Sequence, residues 1–271
     1  MTQQNSGYLQ SGDGRLYYET AGAGTAVVLC HAGFLDSGMW DDQWTALAQR
    51  YHVIRYDMRG YGQSDPVTQS GARYEELYHL LAQLGVERAH LIGCSLGGEV
   101  VLDFALVHPE RVASLVVVSA VPSGFEMQGE PPAELLEMMA AMQQGDLVRG
   151  AELQLRLWID GGYRQPEQVN PQVRQRAAAM NRIPVERGTF AVANEPLNPP
   201  AARRLGAITA PALIITGALD NPEILRAAGV MATELPNAQQ VTIADAAHIP
   251  NMDQPEAFNK AVLAFLERIR A

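Results

Sequence analysis

The chain predicts an α/β fold, a mostly parallel sheet with helices on both faces and a helical cap inserted late in the sheet. Three observations carry this reading. Short apolar runs of strand length alternate with segments whose apolar residues recur at helical spacing. Several of those runs are apolar without interruption, the mark of strands buried on both faces. Residues 122–200 then pass without a convincing strand. At 271 residues with 47% apolar and 18% charged content, the chain is globular and long enough for one large or two small domains.

The elements follow in order. "GRLYYETAG" reads as a strand and "TAVVLCHAG" as a wholly apolar one ending at glycine. "MWDDQWTALAQR" spaces Met39, Trp40, Trp44, Leu47 and Ala48 at helical intervals, "YHVIRYDMRG" returns to strand, and "YEELYHLLAQLG" is a helix closed by Gly85. "AHLIGCS" and "GGEVVLDFALVHPERV" give the next strand and helix, followed by the strands "ASLVVVSAV", "APALIITGALD" and "AQQVTIADAA" and the helix "PEAFNKAVLAFLERIR". Alternation of this kind means a mostly parallel sheet covered on both faces by helices. The helices "AELLEMMAAMQQ", "RGAELQLRLWID" and "NPQVRQRAAAMNR" lie between Pro and Gly clusters in the strandless stretch. The expected division is a core of residues 1–121 and 201–271 and a cap of residues 122–200.

Charge and composition exclude several classes. The net charge is −10 with scattered basic residues, so there is no electrostatic footprint for nucleic acid or an anionic membrane. The amino terminus has neither the basic start nor the apolar stretch of a secretory signal, and no run reaches the roughly 18 apolar residues that span a bilayer. A cytoplasmic protein is expected, and monomer and homo-oligomer both stay open. Two cysteines, Cys30 and Cys94, give no zinc spacing or disulfide framework and read as buried thiols. "GAGTAV" precedes a strand and lacks a third glycine, so it is not a dinucleotide site.

The chemistry is concentrated in "HLIGCSLGGEVV". Gly93, Cys94, Ser95, Leu96 and Gly97 form G-x-S-x-G between a strand and a helix, the context in which a serine is held on a sharp turn at the carboxyl edge of a sheet. Such a turn needs small neighbours, which Gly93, Gly97 and Gly98 supply. A serine is a weak nucleophile alone and needs a base and an acid to orient it. His248, in the loop between the last strand and the terminal helix, is the expected base. His52, His79, His90 and His108 open strands or sit in and at the end of helices. Asp220, at the end of "IITGALD", is the expected acid, in the chain order Ser, Asp, His. One strand earlier no carboxylate occurs before Glu126, and Asp245 reads as a turn residue. Leu96 N–H at the head of the helix is one expected oxyanion donor; the second is Gly33, with Phe34 as the alternative. Phe34, Met139 and Trp158 are expected to line an apolar pocket between cap and sheet.

With "HAGFLDSGMW", "YDMRGYGQSD", "GCSLGG", "GALD" and "AAHIPNMDQPEAF" in place, the chain resembles the α/β-hydrolase superfamily over nearly its whole length, in its capped carboxylesterase, enol-lactonase and perhydrolase-like branch. The resemblance implies an eight-stranded sheet and a serine hydrolase of esters or lactones that needs no cofactor or metal and takes a small-molecule substrate. Carbon–carbon bond hydrolases, cofactor-free perhydrolases and small-molecule receptors share the fold. Serine at the elbow argues against haloalkane dehalogenases and epoxide hydrolases, which use aspartate there. Two positions depart from the family's pattern: Ala32 follows His31 where glycine is usual, and Ala247 precedes His248 where glycine is usual.

Overall fold

The structure, a computed structural model, describes residues 4–192, 194–195 and 197–270; residues 1–3, part of the segment read for a leader, lie outside them. The strands are β1 (Gln4–Ser11), β2 (Gly14–Ala21), β3 (Ala26–Cys30), β4 (His52–Tyr56), β5 (Ala89–Cys94), β6 (Val112–Val118), β7 (Ala212–Gly217) and β8 (Ala238–Ile243). They form one eight-stranded sheet in the order β1-β2-β4-β3-β5-β6-β7-β8. The β1–β2 and β2–β4 pairs are antiparallel, and every later pair is parallel. The helices are α1 (Asp41–Ala48), α2 (Arg73–Gln83), α3 (Leu96–Val107), α4 (Ala133–Gln143), α5 (Leu147–Leu155), α6 (Pro171–Glu186), α7 (Pro222–Glu234), α8 (Pro250–Asp253) and α9 (Pro255–Arg270).

Burial explains the strand composition. β3, β5 and β7 are buried at every position, which is why they read as unbroken apolar runs. Two apolar clusters result, one on each face of the sheet. One joins Val27, Leu29, Ile92, Val116 and Ile215 to Trp40, Trp44 and the α9 residues Phe258, Val262 and Phe265. The other joins Val28, Leu91, Leu115 and Ile214 to Leu77, Leu80 and Leu81 of α2 and Val101 and Phe104 of α3. The end of α2 follows the sequence reading: Gly85 takes φ 66°, and Val86 N–H bonds back to Leu81 O at 2.9 Å, a left-handed glycine cap.

Three elements extend the sequence reading. β1 supplies an edge strand that is mostly exposed and polar, with only Leu9 and Ser11 buried; the hairpin turn at Gly12, φ 58°, joins it to β2. α7 covers β7 and β8 in a stretch not assigned to an element from sequence. In the segment between β6 and β7, α5 runs directly into one turn of π-helix, Arg156–Asp160, and α6 continues through Pro184. Cys30 and Cys94 are buried free thiols; burial pushes the Cys30 pKa up to about 12 and the Cys94 pKa higher still. Among the described residues no helix is long and apolar enough to cross a membrane.

Candidate active site

The parallel strands β3, β5, β7 and β8 all point the same way, so the loops leaving their carboxyl ends share one edge of the sheet. Ser95 stands between β5 and α3 with φ 52° and ψ −116°, a conformation that costs a non-glycine residue of order 1–3 kcal/mol and persists only where the surroundings enforce it. The enforcement is visible. A Cβ on Gly93 would overlap Gly97 O, and one on Gly97 would overlap the carbonyls of Cys30 and His31. The small residues are therefore required by backbone packed on backbone. Leu96 is the first residue of α3, so its N–H has no acceptor within the helix.

The loop after β3 lies against this turn. Leu35 N–H bonds to Ala32 O at 3.0 Å, leaving Gly33 and Phe34 as the central residues of a tight turn. A Cβ on Gly33 would sit 3.1 Å from Leu96 Cβ, so the residues of the two expected donors are packed closely together. His31 is a support: it is fully buried, its Nδ1 bonds Ala32 O at 2.8 Å, and its Nε2 accepts from Met58 N–H at 2.9 Å. Burial lowers its pKa to about 4, so it stays neutral as that bonding requires.

Asp220 follows β7, and His248 lies between β8 and α8; each is 2% exposed. His248 Nδ1 sits 3.0 Å from Asp220 Oδ1 and 3.1 Å from Oδ2, and Oδ1 also accepts Asn221 N–H at 2.8 Å. A carboxylate on Nδ1 fixes the proton there and leaves Nε2 as an acceptor. That Nε2 is buried and has no hydrogen-bond partner among the described residues, Ser95 included. The two loops nevertheless meet, since Cys94 Sγ lies 3.7 Å from His248 O. Three of the other histidines have partners elsewhere: His79 by Ser11, His90 by Ser114, and His108 stacked on Tyr78. Asp245 is an exposed turn residue with φ 53°.

A cavity of about 270 Å³ opens over Ser95, lined by Gly33, Phe34, Tyr61, Leu96, Met138, Gln154, Trp158 and Phe190. Phe34 and Trp158 fall where expected, and both rings also face His248, at centroid distances of 6.3 and 4.7 Å. Met139 does not: it is 58% exposed, and its neighbour Met138 lines the cavity instead. The correction is one of helical phase, because adjacent residues on α4 differ by a 100° rotation. Tyr61, Gln154 and Phe190 were not singled out from sequence. Only Gln154 carried a signal, as a polar residue four positions before Trp158 and so on the same helical face.

The histidine loop is also held from the inserted segment. Asp253 accepts Ala247 N–H at 2.8 Å, and Arg164 donates to the same oxygen at 2.9 Å. Arg164 reaches back to the carbonyls of Ile159 and Asp160, at 2.6 and 2.9 Å, tying the π-turn that carries Trp158 to the loop that carries His248. Burial raises the Asp253 pKa, against the nearby Arg164 charge.

The chain is similar to known proteins over most of its length. The chain is 29% identical over 264 residues to a 2-hydroxy-6-oxononadienedioate/2-hydroxy-6-oxononatrienedioate hydrolase of Burkholderia vietnamiensis, covering 94% of this chain and 91% of the relative. It is 30% identical over 262 residues to a pimeloyl-[acyl-carrier protein] methyl ester esterase of Pectobacterium atrosepticum, covering 93% and 98%. Among solved structures it superposes on a hydrolase from Pseudomonas aeruginosa with a TM-score of 0.80 and 30% identity, covering 97% and 98% of the two chains. The family model of the alpha/beta hydrolase fold matches residues 25–255. That match begins one residue ahead of β3 and ends at the head of α9, so it takes in each of the loops that meet at this edge, and the chain belongs to the alpha/beta hydrolase fold family.

Proposed function

We infer that the protein is a serine hydrolase of carboxylic esters or lactones. The observation that carries this is the buried His248 Nε2 without a partner among the described residues, its ring oriented by Asp220, beside a cavity floored by a serine held at φ 52°. A buried acceptor left unpaired costs stability, and a proton to be received is the reason to keep it. Ser95 Oγ attacks the carbonyl carbon as its proton passes to His248 Nε2. Asp220 holds the Nδ1–H tautomer and stabilises the imidazolium. Negative charge forming on the carbonyl oxygen is met by the N–H groups of Leu96 and Gly33, the pair packed on one another. His248 returns the proton to the leaving alcohol, which for a lactone stays attached to the acyl group. Water activated by the same histidine then releases the acid and restores Ser95. Catalytic hydrogen bonds in unliganded enzymes are often long and close only around substrate, which accommodates the open Ser95–His248 pair. The helices between β6 and β7 serve as a cap over a small-molecule substrate.

The names of the relatives divide between an ester hydrolase and a dioate hydrolase. The ester reading is favoured here because the described residues lining the cavity carry no charged side chain to meet a second carboxylate, and an unpaired buried charge is expensive. Ser95→Ala should abolish turnover of p-nitrophenyl butyrate and prevent covalent labelling by a fluorophosphonate. Activity retained in that variant would remove the proposal.

A further inference from the structure

The hydrolytic reading gives no task to the polar side chains that line the cavity besides Ser95. Besides Ser95, the lining side chains with a polar atom are Tyr61, Trp158 and Gln154. Of these, only Gln154 has a polar atom that is fully buried and unpartnered, Oε1, and the residue as a whole is 3% exposed. No hydrogen bond reaches either end of its amide among the described residues. Buried side-chain amides are almost always paired, because withdrawing one from water without compensation costs free energy. Leucine would pack in its place without that cost, as Leu153 and Leu155 do on either side of it. The rest of the cavity wall is apolar: Phe34, Leu96, Met138, Trp158 and Phe190.

Resting on Ser95 as the nucleophile, we propose that Gln154 is a specificity-determining residue, and that the substrate is an uncharged ester or lactone whose acyl part carries a hydroxyl or amide that pairs with it. A primary amide presents one donor end and one acceptor end, and a neutral hydroxyl or amide answers whichever end faces it. A carboxylate accepts only, so it would leave Oε1 unpaired and would bring in a charge that no lining side chain neutralises. An unsubstituted alkyl chain would leave the whole amide unpaired. Polar discrimination of this kind exceeds what an apolar wall achieves, since rejection comes from a buried group deprived of its partner.

The test uses four-carbon p-nitrophenyl esters: butyrate, 2-hydroxybutyrate and 3-hydroxybutyrate as separate enantiomers, and hemisuccinate, each referenced to its spontaneous hydrolysis. For the wild type, at least one hydroxylated ester should exceed butyrate in kcat/KM by roughly ten-fold, and hemisuccinate should fall below butyrate. In Gln154→Leu the hydroxy-to-butyrate ratio should drop to about one, mainly through KM. The thermal midpoint of Gln154→Leu should equal or exceed that of the wild type, because no native bond is lost. Preference for hemisuccinate, no hydroxylated ester above butyrate, a ratio unchanged in Gln154→Leu, or a variant melting several degrees lower would each overturn the proposal. Fluorophosphonate labelling of the wild-type enzyme reports on Ser95 separately: no labelling removes the nucleophile, whereas normal labelling with an unaltered ratio removes only the role of Gln154.

Discussion

Asp220→Asn isolates the orienting carboxylate with almost no change of shape. Both carboxylate oxygens lie within 3.1 Å of His248 Nδ1, and Oδ1 is also committed to Asn221 N–H at 2.8 Å. An asparagine that keeps its oxygen on Asn221 must therefore place its NH₂ where Oδ2 was, facing Nδ1. Two donors cannot share that contact, so the imidazole moves its proton to Nε2 and loses the lone pair that would accept from Ser95. The neutral amide also withdraws an attraction to the imidazolium worth about 4 kcal/mol at a separation near 4 Å and an effective dielectric of 20. Together these lower kcat by roughly 10³- to 10⁴-fold. KM for p-nitrophenyl butyrate should be nearly unchanged, and fluorophosphonate labelling of Ser95 should slow by a similar factor. Folding should survive, because an isosteric amide in a site 2% exposed avoids the burial of a charge. A loss below ten-fold in a variant with native thermal stability would refute the assignment of Asp220.

Further substitutions probe the surroundings. Arg164→Met strips the counter-charge from the buried Asp253 and should cost about 3–5 kcal/mol in urea unfolding; kcat should fall while KM holds, and adding Asp253→Asn should recover part of the stability, because an amide still accepts Ala247 N–H without needing a cation. Glu99, one helical turn beyond Ser95, has its pKa raised to about 7 by burial and by Asp103. The folded protein therefore binds more protons there than the unfolded chain between about pH 4.5 and 7, and stability falls as pH rises through that window. Glu99→Gln should stabilise the protein by on the order of 2–3 kcal/mol at pH 8 and leave it unchanged below pH 4.5. His31, lowered to about 4, works in the opposite direction between pH 6.5 and 4, so only the difference between wild type and variant, read by unfolding at each pH, tests the claim.

What was legible in the sequence is what depends on local geometry. The elbow around Ser95 was readable because backbone-on-backbone packing admits only glycine at 93 and 97, and the close of α2 because Gly85 alone relaxes at φ 66°. Chain order and strand ends were enough to pick out Asp220 and His248, which the structure brings to hydrogen-bonding distance. β1 was not readable, since an edge strand with most residues in solvent buries only Leu9 and the polar Ser11 and so gives too little apolar alternation to detect, although "SGDG" held a hairpin signal. The phase of α4 was open by one residue, which exchanged Met138 for Met139. The Arg164–Asp253 contact joins positions 89 residues apart, a pairing that no local pattern encodes.

That contact alters the role to be given to the inserted segment. A lid that merely covered a cavity would touch its rim. Here, however, the π-turn Arg156–Asp160 supplies Trp158 against the His248 ring at 4.7 Å, and Gly161, at the end of that turn, packs on Ala247. A Cβ at 161 would come within 2.9 Å of Ala247 Cβ, and Gly161 takes φ 70°, so glycine is required where the π-turn meets the loop that carries His248. Arg174 closes the circuit by holding the fully buried Asp160 at 3.0 Å from α6, so the π-turn is clamped from both sides. One turn of π-helix misaligns a helix by a residue and is tolerated where the displaced side chain is needed; here the displaced side chain is Trp158. The same short segment thus lines the cavity over Ser95 and packs on the imidazole of His248. Substitutions in it should change kcat together with acyl preference, a linkage that a separate lid and a separate catalytic base would not produce.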